Sequence, residues 1–285
     1  MKTEKGFNGK AIYNPSGKAK EYSYWACNFY VGCSNGCTYC YLKKGRGSAI
    51  LGGDKPQLKK CFRNESHALE VFEKELLQNV EELRKYGLFF TFTSDPMLSE
   101  TIKLTWQAMD ICICNKIPVK ILTKCTNWVQ ELIDFDNGSV KNYSFKGKQY
   151  VAFGFTLTGH DELEPNASTN GERIEAMKKL HEAGFKTFAS IEPIIDIMSA
   201  WDMIVSTRDF CDLYKIGILS GSKIKGIDKS FIKSITDISI GMIYFKDSLL
   251  RQAGINRSKL PENCVTRKYN IFTGGDEIIE KGEIE

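Results

Sequence analysis

Six short runs rich in aliphatic, aromatic and β-branched residues recur along this chain, at 22–31, 88–93, 119–123, 150–158, 187–191 and 213–219. Helical patterns lie between them at 67–86, 98–115, 126–135, 171–183 and 199–209. Strands separated by helical crossovers pair in parallel, so this alternation predicts an α/β fold built on a parallel sheet. A chain of 285 residues fits one large barrel or two small domains, and its 42% hydrophobic content with 17 phenylalanines fills a sizeable core. The longest apolar runs fall far short of the roughly 20 residues needed to cross a bilayer, so no membrane span is expected. The first 20 residues carry five lysines and no apolar stretch of the secretory kind, which predicts a cytoplasmic protein.

Local signals mark element ends. Asp95 before Pro96 reads as a helix N-cap with proline in the first turn, and Gly87 and Gly184 read as C-terminal caps. The segment 43–60 shows no periodicity and reads as a mobile loop carrying lysines and Arg46. The organisation expected is a leader at 1–21 containing a short hairpin, a barrel at 22–221 and a mixed extension at 222–285.

A net charge of +4, from 39 basic and 35 acidic side chains, permits a nucleic-acid partner without arguing for one. Ten cysteines are more informative. In a reducing compartment such a number points to metal ligands or reactive thiols rather than a disulfide framework. Cys33, Cys37 and Cys40 stand as Cys-Ser-Asn-Gly-Cys-Thr-Tyr-Cys directly after the first strand, with Gly32 and Gly36 giving the loop freedom to wrap. Three thiolates can hold three irons of a 4Fe-4S cluster and leave the fourth open to a ligand. The alternative is a structural zinc site with Cys27, Cys61 or His67 as fourth ligand, in a non-enzymatic nucleic-acid-binding module.

This spacing, with Tyr39 before the third cysteine, resembles the cluster loop of radical S-adenosylmethionine enzymes. The resemblance implies a partial (β/α)6 TIM-like barrel. It implies that S-adenosylmethionine chelates the open iron, and that one electron cleaves it to methionine and a 5′-deoxyadenosyl radical that abstracts hydrogen from a substrate. An electron donor such as flavodoxin or ferredoxin is implied as partner. Longer stretches, Cys-Thr-Tyr-Cys-Tyr, Phe-Thr-Ser-Asp-Pro, Ile-Leu-Thr-Lys and Glu-Arg-Ile-Glu-Ala-Met-Lys-Lys-Leu-His-Glu-Ala-Gly, resemble the spore photoproduct lyase branch. In that branch tyrosines flanking the last cluster cysteine relay hydrogen, and Tyr39 and Tyr41 occupy both positions. The branch carries a hydrogen-donating cysteine before its Thr-Ser-Asp; here Phe92 stands there.

The resemblance and the barrel rule, by which working residues sit at the C-terminal ends of strands, together nominate the remaining candidates. Ser94 and Asp95 are expected to receive the methionine amino group, Asp95 having the N-cap as its other reading. Lys124 is expected to pair with the cofactor carboxylate, or else to be a surface lysine. Thr156 is expected at the cofactor ribose, although threonine is also a good strand former. Arg173 can offer a fork to a carboxylate or pair structurally with Glu164. Glu192, fixed by Pro193 at the end of its strand, is expected to face cofactor or substrate. Cys125 is nominated as hydrogen donor in place of the thiol missing at Phe92, the other reading being an inert small hydrophobe. Cys112, Cys114 and Cys211 read as core. A nucleotide or nucleic acid is the first expectation for substrate, by the branch resemblance and the basic 43–60 segment; a peptide or protein side chain is the other.

Overall fold

The computed structural model describes residues 6–45, 47–136, 147–219, 221–238 and 241–276; Arg46 lies outside them. In chain order the strands used below are β1 (Ile12–Tyr13), β2 (Ala26–Cys27), β3 (Tyr30–Val31), β4 (Gln57–Leu58), β5 (Leu88–Phe90), β6 (Val119–Thr123), β7 (Val151–Thr156), β8 (Lys186–Ile194), β9 (Leu213–Ile218) and β10 (Met242–Phe245). The helices are α1 (Ser48–Leu51), α2 (Glu65–Gln78), α3 (Val80–Tyr86), α4 (Ile102–Cys114), α5 (Val129–Asp136), α6 (Asn170–Glu182), α7 (Ile197–Thr207), α8 (Lys229–Asp237) and α9 (Asp247–Ala253).

One sheet of order β1-β2-β5-β6-β7-β8-β9-β10 forms the centre. Every neighbouring pair from β2 to β10 is parallel, and β1 alone joins antiparallel; the hairpin expected within the leader does not form, because Gly17–Glu21, its expected second arm, is a 3-10 helix and β1 pairs with β2 instead. This is the mixed α/β, partial TIM-like barrel expected. All six residues of β7 and of β9 are buried, as strands covered on both faces must be. Helices bury one stripe each: α4 turns Leu104, Ala108, Met109 and Cys112 inward, and α6 turns Ala176, Met177 and Leu180.

Several boundaries differ from the sequence reading. The sheet does not stop at 221: β10 adds a further parallel strand beside β9, with Met242 opposite Leu213. Its four residues follow α8, whose N-terminus Asp228 caps by accepting from the Ser230 and Phe231 amides. The 22–31 run splits into β2 and β3, and the 67–86 pattern breaks at Asn79 into α2 and α3. The 43–60 segment is not a featureless loop, since it carries α1 and β4, the latter paired antiparallel with β3. Pro193 does not end its strand; β8 runs to Ile194, and the register shift between Ile191 and Ile194 accommodates the proline in a bulge. Cys112 and Cys211 are buried as expected, whereas Cys114 is exposed near the end of α4.

Candidate functional site

The cysteine loop leaves β3 through Gly32 at φ +82°, a conformation that L side chains rarely adopt. A Cβ there would also lie 2.4 Å from the Lys55 carbonyl oxygen. This close approach lets the Cys33 amide donate to Gly53 O at 3.0 Å. On the other side the loop is tied to the segment after β7. Thr38 N donates to Leu163 O at 2.9 Å, Asn166 N to Asn35 O at 3.2 Å, and Asn166 Nδ2 to Ser34 O at 3.0 Å. Cys33, Cys37 and Cys40 thus face a cleft of 340 Å³ whose opposite walls are the C-terminal ends of β5, β6, β7 and β8.

Asp95 ties two of those strand ends together. Its Oδ1 accepts from Thr123 Oγ1 at 2.6 Å and Met97 N at 3.0 Å, and its Oδ2 from Asn35 Nδ2 and Lys124 N, both at 2.8 Å. Four donors occupy the four lone-pair sites of the carboxylate. The N-cap reading is corrected, because α4 begins at Ile102 after Thr101 and not at Pro96. Asp95 holds the cysteine loop against β6 while Ser94 lines the cleft beside it.

Around the third cysteine the polar groups form one chain. Tyr39 Oη donates to Glu164 Oε1, and Glu164 Oε2 lies 2.6 Å from Arg173 Nη2, both acid and guanidinium being fully buried side chains. Arg173 also donates to Ser168 O at 2.7 Å and Thr156 O at 2.8 Å. Lys124 Nζ is 3.9 Å from Glu164 Oε1 and 5.8 Å from the Tyr39 ring centroid. Burial opposes the Lys124 charge, yet nearby Cys37 and Glu164 outweigh it and hold the ammonium above the ordinary lysine value. Burial, with the Asp95 charge beside it, pushes the Cys33 thiol up to about 12, and burial also raises Cys37. Thiols held this high stay protonated unless a metal centre supplies positive charge.

The wall facing the cysteines was missed by sequence reasoning except for Glu192. Ser190 and Glu192, two apart on β8, point into the cleft together. Tyr22 Oη hydrogen-bonds Ser190 Oγ at 2.7 Å and donates to Glu192 Oε2 at 2.6 Å. Lys246, immediately after β10, places Nζ 2.7 Å from Glu192 Oε2 and 4.5 Å from the Tyr22 ring centroid. Behind them Lys215 donates to the Glu21 and Tyr22 carbonyls at 2.9 and 3.3 Å. Burial, aided by Lys120 and Lys246, pulls its pKa well below the ordinary value. A tyrosine at the very start of the first strand-like run and a lysine in a weakly patterned extension give no local signal; only the closing of the sheet brings them together.

Of the nominated residues, Cys33, Cys37, Cys40, Tyr39, Tyr41, Ser94, Asp95, Lys124, Thr156 and Glu192 line the cleft. Arg173 and Cys125 do not. Arg173 is enclosed behind Glu164 and acts on the cleft indirectly, through that carboxylate and through the Thr156 carbonyl to which it donates. The Cys125 thiol is turned to Asn35 Oδ1 at 3.8 Å, under the cysteine loop. The proposed zinc partners are scattered: Cys27 is in the core and Cys61 on the surface. Among the described residues no three His, Cys, Asp or Glu side chains converge as ligands of a single ion. Three cysteines that share a cavity without converging suit a larger, multi-metal group, each thiolate meeting a different iron.

Fold and site define a partial parallel barrel that carries a three-cysteine loop over the C-terminal ends of its strands. The family model of the Radical SAM superfamily matches residues 27–198, and the chain belongs to that superfamily. It is an enzyme of this superfamily, which uses a 4Fe-4S cluster and S-adenosylmethionine. Uncharacterized protein MJ0683 of Methanocaldococcus jannaschii is 25% identical over 206 residues, covering 69% of this chain and 70% of that protein. Among solved structures, spore photoproduct lyase complexed with dinucleoside spore photoproduct superposes with a TM-score of 0.52 at 16% identity, over 75% of this chain and 58% of that one. Streptococcus suis SuiB bound to precursor peptide SuiA superposes with a TM-score of 0.55 at 14% identity, over 84% of this chain and 52% of that one. The chain spans little more than half of those two structures, and at such identities the likeness is one of fold. No described helix is long and apolar enough to cross a membrane.

Proposed function

We propose that Cys33, Cys37 and Cys40 hold the 4Fe-4S cluster, that S-adenosylmethionine occupies the adjoining cleft, and that the enzyme abstracts hydrogen from a nucleotide or nucleic-acid substrate. The carrying observation is the single cleft in which the three cysteines face Ser94, Lys124, Thr156 and Glu192. When bound, the cluster and S-adenosylmethionine supply one-electron cleavage chemistry. The protein's own groups hold and orient. Lys124, kept charged beside Glu164, is suited to the cofactor carboxylate, and Ser94 to its amino group, with Asp95 fixing Lys124 through its amide and Thr91 Oγ1 accepting from the Ser94 amide. The Thr156 hydroxyl is suited to the ribose, and Tyr39 and Tyr41 flank the last cysteine as relay phenols. Arg173 serves as a positioning residue for Glu164.

A nucleic-acid substrate is favoured by the resemblance to the lyase branch and by the basic 43–60 segment. Photoproduct repair itself is not proposed, because Phe92 lines the cleft where that branch has a thiol. A one-electron donor protein completes the cycle, and the ten free cysteines suit a reducing, cytoplasmic setting. Anaerobically reconstituted protein should hold about four irons per chain, and Cys37→Ala should abolish the brown chromophore. 5′-Deoxyadenosine formed on adding oligonucleotides but not peptides supports the reading; tightly bound zinc in place of iron refutes the cluster, and a response to peptides alone refutes the substrate class.

A further inference from the structure

We propose that Glu192 selects the substrate, accepting a hydrogen bond from the exocyclic amino group of one unstacked nucleobase whose ring lies against the aromatic wall of Tyr22, Phe89 and Phe92. The inference rests on the nucleic-acid reading above and names the kind of base. Among the described residues the carboxylate has one acceptor position left. Tyr22 Oη donates to Oε2 at 2.6 Å, and Lys246 Nζ reaches Oε1 at 3.0 Å and Oε2 at 2.7 Å. These contacts fill all but one of the roughly four lone-pair sites of a carboxylate, and the open one is on Oε1. Gly217 on β9 makes room for the pair, since a Cβ there would lie 2.7 Å from Lys246 Cδ and 3.2 Å from Glu192 Oε1. Ser190 Oγ lies 2.7 Å from the Tyr22 oxygen, whose one proton goes to Glu192, so the serine donates and the phenol is held in place.

Such an acceptor selects by charge and by shape. Lys246 already balances the carboxylate and Lys215 stands behind it, so a second cation is disfavoured and a neutral N–H is preferred. The adjoining wall is flat and apolar. Phe89 and Phe92 stack with centroids 4.5 Å apart, while Tyr22 meets Phe89 at 5.6 Å and the Phe92 ring edge-on at 6.1 Å. All three border the same cleft as Glu192. Aromatic side chains hold unstacked bases by their faces, which a peptide side-chain amide cannot match. An exocyclic amino group, as on cytosine, projects its N–H beyond the ring and is the group a glutamate accepts from. Uracil and thymine present a carbonyl oxygen at that place, which a carboxylate repels. A base reaches such a cleft only from a single strand or after leaving the duplex stack.

The test compares labelled single-stranded oligo-deoxycytidine with oligo-deoxyuridine by fluorescence anisotropy, on reconstituted protein loaded with S-adenosylmethionine and without reductant. The two strands share one backbone, so phosphate contacts cancel. Wild type should bind the cytosine strand about 10-fold more tightly. Glu192→Gln should abolish or reverse that preference, because the amide oxygen accepts from Tyr22 and Lys246 and the amide nitrogen then offers a donor to the uracil carbonyl. Phe92→Leu, which removes the flat face and keeps an apolar side chain, should weaken both strands alike, and it carries the test if Glu192→Gln does not fold. Equal affinity of the wild type for the two strands, a preference unchanged in Glu192→Gln, or a Phe92→Leu variant that binds as wild type would each overturn the proposal. So would a loss of S-adenosylmethionine affinity in Glu192→Gln, read by titration calorimetry, which assigns the carboxylate to the amino group of the cofactor adenine instead. A wild type that binds neither strand overturns the nucleic-acid reading itself, and this inference with it.

Discussion

Lys246 reaches across β9, over Gly217, to pair with Glu192, Nζ to Oε2 at 2.7 Å, with 3% and 19% of the two side chains exposed. The pair joins a residue after β10 to one on β8, and the Tyr22 phenol closes the triangle through its bond to Glu192. The C-terminal region is therefore a wall of the cleft and not an appendage. Removing one partner of a buried ion pair leaves the other charge uncompensated. Lys246→Met should lower the free energy of unfolding by about 3 kcal/mol, read from urea unfolding curves, while Lys246→Arg should recover much of it. A methionine variant as stable as wild type would mean that water solvates Glu192 there.

Much of the site was legible because its signals are local. The cysteine triplet, its flanking tyrosines and Lys124 lie in short stretches whose spacing is fixed by one loop or one strand end. Tyr22 and Lys246 are 224 positions apart in the chain, yet Lys246 Nζ lies 4.5 Å from the Tyr22 ring centroid. Their pairing comes from sheet closure, which no local pattern encodes. β10 was passed over for a related reason: four residues are too few for a period to show. The Asp95-Pro96 signal misled because the side chain competes for several partners; Thr123 and Asn35, distant in sequence, join the Met97 amide in claiming the carboxylate.

Cys125 sits with its thiol under the cysteine loop and its carbonyl accepting from Trp128 Nε1 at 2.8 Å. It lies outside the cleft, so it is not placed to meet a product radical. Cys125→Ala should leave formation of 5′-deoxyadenosine unchanged and cost on the order of 1 kcal/mol of stability. Product analysis and a thermal melt on the same preparation check both halves. Altered product identity with unaltered stability would restore the thiol as a donor.

Lys124 stands just after β6 in the cleft that the three cysteines face. Lys124→Ala should weaken S-adenosylmethionine binding by about 1.5–3 kcal/mol, the worth of a charged hydrogen bond. Titration calorimetry of the reconstituted protein measures this, with iron content expected to stay at the wild-type value. Unchanged affinity would assign Lys124 to holding Glu164 and the Tyr39 ring alone.

His160 clamps the segment that supports the cysteine loop. Its Nε2 is 2.6 Å from Asp196 Oδ2 and its Nδ1 2.7 Å from Glu162 Oε1, while Ser199 Oγ donates to the same Asp196 oxygen at 2.8 Å. Bonds to Asp196 and Glu162 raise the imidazole above its ordinary 6.5. The Ser199 amide, and then His160 and the Ser199 hydroxyl, hold Asp196 down at about 2. A histidine raised in the folded state contributes stability that is complete below 6.5 and is lost as pH rises through the higher native value. The depressed aspartate contributes above its ordinary 3.8 and loses this as pH falls towards 2. Melting temperature should therefore decline on the alkaline side as His160 loses its proton. His160→Gln, which keeps a donor but cannot charge, should remove that part of the decline in a series from about pH 5 to pH 9. Parallel curves for the variant and the wild type would show that the imidazole is neutral throughout and that the clamp is a hydrogen bond without charge.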